Sequence, residues 1–231
     1  MKALFLFDTT GYAAAPFTAA GWETYIIDTL NVGERTTNKN ATHVLDWDIL
    51  KKETEIAELA KGAMFIFGFP PCTDLASVGA SVWNLKKLDN PDFQLDAIHL
   101  VRSVERIGDK ANVAWALENP IGRISKFWRR FDFWFNPCDY GGYLPENDQH
   151  PDWPNYIIAR DAYEKKTCVW HSFDFIRPPK RSIMSTHIGW APQWGKLGGR
   201  GKDKEKDTIV KLIRSASPRG FFQALYEAYS E

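Results

Sequence analysis

The sequence lacks the features that would place it in a specialised class of protein. Neither charge is in excess, because 29 lysines and arginines balance 29 aspartates and glutamates. No apolar run is long enough to cross a membrane, and the first residues become acidic too soon for a signal peptide. The three cysteines follow no disulfide-framework spacing, which favours a reducing compartment. We therefore expect a cytoplasmic globular protein, and the balanced charge counts mildly against tight binding of nucleic acid.

Repeats and low-complexity tracts are also missing, and 231 residues suffice for one domain with a sizeable core. We expect a single domain over residues 1–231. Its cofactor-binding and catalytic core would span residues 1–125, and a loop-rich insertion would occupy residues 126–206. Residues 207–231 would return to the core through a C-terminal helix.

Strand and helix patterns alternate through the first half of the chain. Strands are predicted at residues 2–7, 23–28, 43–47, 63–67, 113–117 and 166–173. Helices are predicted at residues 13–20, 50–60 and 93–107, with a last one from the Ser217-Pro218 cap to about Tyr229. This alternation predicts an α/β fold with a doubly wound, mainly parallel sheet and a short loop-rich insertion.

Two of the predicted strands end on chemically useful side chains. The buried run 63–67 leads through a glycine and a proline pair to Cys72, and the run 113–117 leads to Glu118-Asn119-Pro120. Ligands of open parallel sheets bind outside the carboxyl ends of the strands. A thiolate is a strong nucleophile and a carboxyl group is a general acid, so Cys72 and Glu118 are candidates for one active site. A structural buried cysteine and a surface carboxylate are the alternatives.

The first strand is followed by a loop that suits a nucleotide-like cofactor. The loop is Phe7-Asp8-Thr9-Thr10-Gly11-Tyr12, and Asp28 ends the next strand. Backbone N–H groups of such a loop can meet a polar ligand, and a carboxylate on the second strand can accept the ribose hydroxyls. Only one glycine stands where dinucleotide-binding folds show three, so the motif alone is weak. The alternative for Asp28 is a solvated acid at a strand end.

The order of these motifs resembles that of the DNA cytosine-5 methyltransferases. Pro70-Pro71-Cys72 stands where this family has its nucleophile motif, and Glu118-Asn119-Pro120 follows 46 residues later, where the family has Glu-Asn-Val. Further likeness to a compact, phage-type branch lies in residues 139–143, 165–170 and 214–221. The resemblance implies a fold like that of S-adenosylmethionine-dependent methyltransferases and transfer of a methyl group to carbon 5 of cytosine in DNA. It also implies a covalent Cys72 adduct, S-adenosylmethionine as cofactor and DNA as partner.

The resemblance assigns a role to each matching residue. The catalytic residues would be Cys72, Glu118 and Asn119. The residues that would bind the cofactor are Phe7, Asp8, Thr10, Gly11, Asp28, Asp48 and Pro70. The residues that would bind the substrate are Pro71, Arg160, Lys165 and Lys166. Asp46 competes with Asp48 for the contact with adenine.

The sequence departs from the family in three places. The Phe-x-Gly-x-Gly-Gly loop and the Gln-x-Arg-x-Arg segment are absent, and the recognition region is confined to residues 121–160 and 176–206. So short a region implies few contacts with base edges, and therefore either low sequence specificity or help from a partner. Two other functions remain open: a related cytosine-modifying enzyme that uses a free nucleotide or another one-carbon donor, and a binding protein without turnover.

A metal site is not expected. Cys138, Cys168, His150 and His171 are irregularly spaced and contain no Cys-x-x-Cys pair. The acids Asp139, Glu146 and Asp148 beside His150 are more typical of a solvated loop than of a metal site.

Overall fold

The structure is a computed structural model that describes residues 1–29, 41–186, 210 and 212–230. Seven strands form one sheet. They are β1 (Lys2–Leu6), β2 (Glu23–Asp28), β3 (His43–Asp46), β4 (Phe65–Gly68), β5 (Trp115–Pro120), β6 (Phe133–Phe135) and β7 (Thr167–His171). Their order across the sheet is β3-β2-β1-β4-β5-β7-β6. The first five strands are parallel, and β7 runs antiparallel to both β5 and β6.

Helices and tight turns connect the strands. The α-helices are α1 (Ala15–Ala19), α2 (Glu53–Ala60), α3 (Trp83–Asp89), α4 (Phe93–Val101), α5 (Ser103–Ala111), α6 (Ile124–Phe127) and α7 (Arg219–Ser230). In the described part of the chain, 3₁₀ segments span Ser77–Val82, Pro137–Tyr143 and Ala159–Asp161. The α/β fold and the mainly parallel sheet predicted from the sequence are confirmed.

Alternating residues of each central strand supply two cores, one on each face of the sheet. Phe5 of β1 and Phe67 of β4 pack with α1 and α7 on one face. Leu4 of β1 and Ile66 of β4 belong to the other core, together with apolar residues of α2, α4 and α5. Strands covered on both faces read as nearly continuous apolar runs, which is the pattern that made them recognisable in the sequence.

Two helix predictions differ from the structure. The apolar stripe at 93–107 predicts one helix, but α4 ends at Val101 and α5 starts at Ser103 after a turn at Arg102. The Ser103 hydroxyl donates to the Leu100 carbonyl at 2.7 Å, so a side chain binds a backbone acceptor beside the break. The Ser77–Val82 turn and the helix α3 fall where the sequence predicts no helix.

The end of β5 also differs from the prediction. The strand continues through Glu118, Asn119 and Pro120, which were expected to follow it. Its pairing with β4 stops at Leu117, but β7 pairs with it as far as Pro120, opposite Thr167. The antiparallel neighbour therefore extends the strand and gives the Glu118-Asn119 segment a fixed backbone.

Residues 187–209 lie outside the described residues. They belong to the predicted insertion and to the predicted C-terminal segment, and they include the basic residues Lys196, Arg200, Lys202, Lys204 and Lys206. Within the described part of the chain, no helix is long and apolar enough to span a bilayer.

Candidate active site

The candidate site lies where the connections of the sheet reverse direction. From β1 the chain proceeds outward to β2 and β3, and then crosses back to β4 on the other side of β1. The carboxyl ends of β1 and β4 therefore flank a crevice, which is the ligand-binding position in open α/β sheets. The loop Asp8–Tyr12 leaves β1 at this edge, and the Pro70-Pro71-Cys72 turn leaves β4 beside it.

A buried hydrogen bond joins the two predicted catalytic segments. The side-chain amide of Asn119 donates to the Pro70 carbonyl at 2.8 Å, and Asn119 is almost fully buried. The bond links β5 to the turn after β4 and fixes the Glu118 backbone relative to the Cys72 turn. The side-chain Oδ1 of Asn119 is buried without a partner, so an acceptor is available in the site.

Cys72 is exposed, and the chain after it is held in place. Its carbonyl accepts the Ala76 N–H at 2.8 Å, and Ala76 forms an isolated β-bridge with Gly122. A Cβ on Gly122 would lie 2.1 Å from the Leu75 carbonyl oxygen, so this close approach requires glycine. The segment that carries the thiol is thus docked on the segment that follows β5.

Glu118 is placed to hold a proton. Its Oε2 atom is buried without a hydrogen-bond partner. Burial raises the pKa of Glu118, and the positive charge of Lys165 opposes that rise. A raised pKa makes it easier for the carboxylate to take up a proton and share it with a bound base, as a general acid requires.

Cys72, Glu118 and Lys165 are coupled electrostatically. Although Cys72 as a residue is exposed, the pKa of its thiol is raised, first by partial desolvation of the sulfur and then by the Glu118 carboxylate. Lys165 and Arg214 act in the opposite direction, and the Lys165 ammonium donates to the Arg214 carbonyl at 3.2 Å. The structure therefore brings together three residues that the sequence assigned to catalysis and substrate binding.

This coupling predicts how fast the thiol reacts with iodoacetamide. At pH 8, Glu118→Gln should speed alkylation of Cys72 and Lys165→Ala should slow it, each about threefold, because only the thiolate reacts. Peptide mapping would follow Cys72 separately from the buried Cys138 and Cys168. Lys166→Ala is the matched control, and an equal slowing in that variant would contradict the arrangement.

The loop after β1 is built around the carboxylate of Asp8. Asp8 Oδ1 accepts the Gly11 N–H at 2.9 Å, whereas Oδ2 is buried without a partner. Phe7 and Gly11 have φ angles of 61° and 73°, a left-handed backbone that is unusual for phenylalanine. The neighbouring Asp28 is buried and accepts the Thr9 hydroxyl at 3.0 Å. The loop therefore combines backbone strain with an unpaired buried acceptor, and both are typical of ligand sites.

Asp8 makes the folded protein more stable at acidic pH. Burial raises its pKa from 3.8 to about 6, and the Asp28 charge adds to the rise. The native state thus binds more protons than the unfolded chain between these values, so stability falls as pH rises through this window. Asp8→Asn should raise the free energy of unfolding at pH 7 by about 1–3 kcal/mol and have no effect near pH 4.

Chemical denaturation across this pH range would test the Asp8 prediction. Asp46→Asn is the matched control, because Asp46 is an exposed carboxylate at the end of β3. An Asp8→Asn variant that is less stable than the wild type at pH 7 would contradict the assigned burial cost.

A cluster behind the loop was missed in the sequence. The Tyr12 hydroxyl donates to Asp152, and the Tyr12 ring meets His150 edge to face at 4.6 Å. His150 in turn stacks on Trp153 with ring centroids 5.2 Å apart. These contacts attach the loop after β1 to residues 150–153 of the insertion. They join residues about 140 positions apart, and no local pattern in the sequence marks such a pair.

Three other residues predicted for the site are Asp48, Arg160 and Lys166. The contacts below involve neither Cys72, Glu118 nor the loop after β1. Asp48 accepts the Leu50 and Lys51 N–H groups at 3.1 and 3.3 Å and is partly exposed. The Arg160 guanidinium donates to the Gly141 carbonyl at 3.3 Å. The Lys166 ammonium lies over the exposed ring of Trp134.

Pro71 is exposed next to Cys72, at the mouth of the site. Burial is the main cause of the raised pKa of Cys138 and of Cys168. Within the described residues, no group of three or more histidine, cysteine or acidic side chains could hold a metal ion.

Comparisons with known proteins leave the site to be interpreted from its own geometry. No protein-family model matches the chain, and a search of curated proteins gives no significant match.

Proposed function

We propose that the protein is an S-adenosylmethionine-dependent methyltransferase that acts on carbon 5 of cytosine in DNA. The observation that carries the proposal is the electrostatic coupling of Cys72, Glu118 and Lys165 at the carboxyl edge of β4 and β5. The buried Asn119–Pro70 hydrogen bond holds the two strand ends together. A nucleophile, a carboxyl group that can hold a proton and a nearby cation are the groups that addition to a pyrimidine ring requires.

The sheet supports the same proposal. Its order β3-β2-β1-β4-β5-β7-β6, with β7 antiparallel, resembles the sheet of S-adenosylmethionine-dependent methyltransferases. The candidate site lies at the reversal point of that order, where a nucleotide-like cofactor is expected. Fold alone does not define function, so the side chains at this edge carry the greater weight.

The residues of the β1 loop fit the cofactor. Asp8 Oδ2 is an unpartnered buried acceptor that suits a cationic amino group, and Asp28 at the end of β2 suits the ribose hydroxyls. Gly11 leaves the backbone open to a close approach. Phe7, Thr10 and Pro70 would complete the wall around the ligand. When bound, S-adenosylmethionine supplies an electrophilic methyl group.

The protein's own groups activate the base. The Cys72 thiolate forms a bond to carbon 6 of the cytosine, which makes carbon 5 nucleophilic. Glu118 holds a proton at ring nitrogen 3 and neutralises the charge that develops there. Lys165 stabilises the thiolate before attack, because it lowers a pKa that burial raises. Carbon 5 would then bond to the methyl group that the cofactor supplies, as the bond between that methyl group and the cofactor's sulfur breaks. A water molecule would take the proton from carbon 5, and the electron pair of that C–H bond would re-form the ring double bond as the Cys72 sulfur leaves.

A DNA substrate must expose the target base to this site. Carbon 6 of a stacked cytosine is inaccessible to an attacking thiolate, so the nucleotide would have to rotate out of the helix. Pro71, exposed beside Cys72, would line the entrance for that nucleotide.

Labelled S-adenosylmethionine tests the proposal directly. We expect incubation with the protein to label cytosine in duplex or single-stranded DNA, with 5-methylcytosine found after nuclease digestion. Label on dCMP alone would instead identify an enzyme that modifies free nucleotides. Failure to label any of the three substrates would favour a binding protein without turnover.

Thermal unfolding provides a separate test of the cofactor site. S-adenosylhomocysteine should raise the midpoint, because a ligand that binds only the native state stabilises it. Asp28→Ala should reduce that rise, whereas Asp89→Ala, which changes an exposed carboxylate at the end of α3, should leave it unchanged. Equal rises in both variants would remove Asp28 from the cofactor site.

A further inference from the structure

An exposed aromatic residue surrounded by cations lies outside the catalytic pair. Trp134 of β6 is 41% exposed, whereas Phe133 and Phe135 on either side of it are buried in the core. The Lys166 ammonium lies 4.5 Å from the centre of the indole ring, and the Lys180 ammonium lies 5.7 Å from it. We call this surface, formed by Trp134, Lys166 and Lys180, the Trp134 platform.

The platform carries a local positive charge on a chain of zero net charge. Lys180 is paired with Asp139 at 2.7 Å. Within the described residues, Lys166 has no carboxylate at ion-pair distance. A lysine whose charge is not neutralised by a carboxylate, beside an exposed aromatic ring, is complementary to a nucleic-acid strand.

The basic segment 177–181 is held rigidly. The Arg181 carbonyl accepts the Gly142 N–H at 2.8 Å, and the Pro179 carbonyl accepts the Tyr143 hydroxyl at 2.9 Å. Arg177 lies over the Phe133 ring at 4.4 Å. Cations that are already ordered lose less conformational entropy when a ligand binds.

The platform lies at the same end of the sheet as the candidate active site, on the face of Asn119 and opposite to that of Glu118. Asn119 pairs with Cys168 across the sheet, and Cys168 pairs with Trp134, so Trp134 lies two strands from Asn119. That separation is about 10 Å, or about three nucleotides of a stacked strand. Lys165 acts on the catalytic pair, and the next residue, Lys166, covers Trp134.

We infer that the Trp134 platform binds single-stranded DNA beside the target nucleotide, with a base against the exposed part of the indole and phosphates on Lys166 and Lys180. The inference rests on the proposed function, because it assigns the DNA strand a path from the catalytic pair. Binding of this kind is independent of sequence, since phosphate contacts and stacking tolerate every base.

Binding of a fluorescent oligothymidylate of about 12 nucleotides tests the platform apart from the chemistry. This probe contains no cytosine, so it cannot react at Cys72. Trp134→Ala should weaken binding about tenfold, as expected for the loss of one stacked base. Lys166→Gln and Lys180→Gln should each reduce the slope of log K against log salt by about 0.7.

Matched controls come from the same chain. Lys52→Gln removes a lysine that lies 6.0 Å from the Trp47 ring near the other edge of the sheet, and Phe173→Ala removes a side chain that is 98% exposed. Both should bind the probe as the wild type does. Wild-type affinity in Trp134→Ala and both lysine variants, or binding of duplex DNA only, would overturn the inference even if methyl transfer is observed.

Discussion

Replacement of Cys72 by serine is expected to abolish methyl transfer while the fold is retained. The two side chains are nearly isosteric and Cys72 is exposed, so the change leaves no cavity in the core. A serine hydroxyl is almost fully protonated at neutral pH, and no histidine contacts Cys72 in the described structure to activate it. The rate of label transfer should fall by more than about 10³-fold, in line with the loss of an essential nucleophile.

Cys138→Ser and Cys168→Ser separate the role of Cys72 from a general need for thiols. Both of these cysteines are buried, so their loss should alter stability more than turnover. Loss of activity in either variant with a native thermal midpoint, and activity retained in Cys72→Ser, would place the nucleophile elsewhere.

Replacement of Glu118 by glutamine should reduce turnover by about 10²–10⁴-fold, the usual contribution of a general acid. Glutamine has the size of glutamate but has no carboxyl proton to donate. The same variant should have a more reactive Cys72 thiol, because the carboxylate that raises its pKa is gone. Slower methyl transfer with faster alkylation would therefore distinguish loss of the acid from loss of the nucleophile.

Steady-state kinetics on a DNA substrate would measure this effect, with Glu58→Gln as the control for a surface carboxylate. Glu58 lies on the helix α2 and pairs with Lys61 at 2.6 Å. Full activity in Glu118→Gln would mean that another group protonates the base, and the proposed role of Glu118 would then be withdrawn.

The sequence predicted the α/β fold because each central strand is covered on both faces. Continuous apolar runs such as 63–67 identify these strands locally, and the parallel arrangement follows from their alternation with helices. The short strand β6 was not predicted. Its three residues are too few for a reliable alternation, and it is held by pairing with β7, which is distant in sequence.

The sequence could predict those site residues that directly follow a strand. It could not predict residues whose position depends on contacts between distant parts of the chain. Cys72 follows β4 and Glu118 lies on the neighbouring strand β5, and the alternation of strands and helices in the sequence led us to expect these two strands side by side. The contact of Lys166 with Trp134 depends on the antiparallel register of β6 and β7. The attachment of Tyr12 to Asp152 joins the first loop to the insertion, and only the folded structure brings them together.

The most direct test of the central claim is covalent trapping with DNA that contains 5-fluorocytosine. Fluorine at carbon 5 blocks the final elimination, so attack by the enzyme becomes irreversible once the methyl group has been transferred. In the presence of S-adenosylmethionine, we expect mass spectrometry to find the DNA attached to the peptide that contains Cys72. Attachment at Cys138 or Cys168, or no covalent complex where unfluorinated DNA is methylated, would contradict the assignment of Cys72 as the nucleophile.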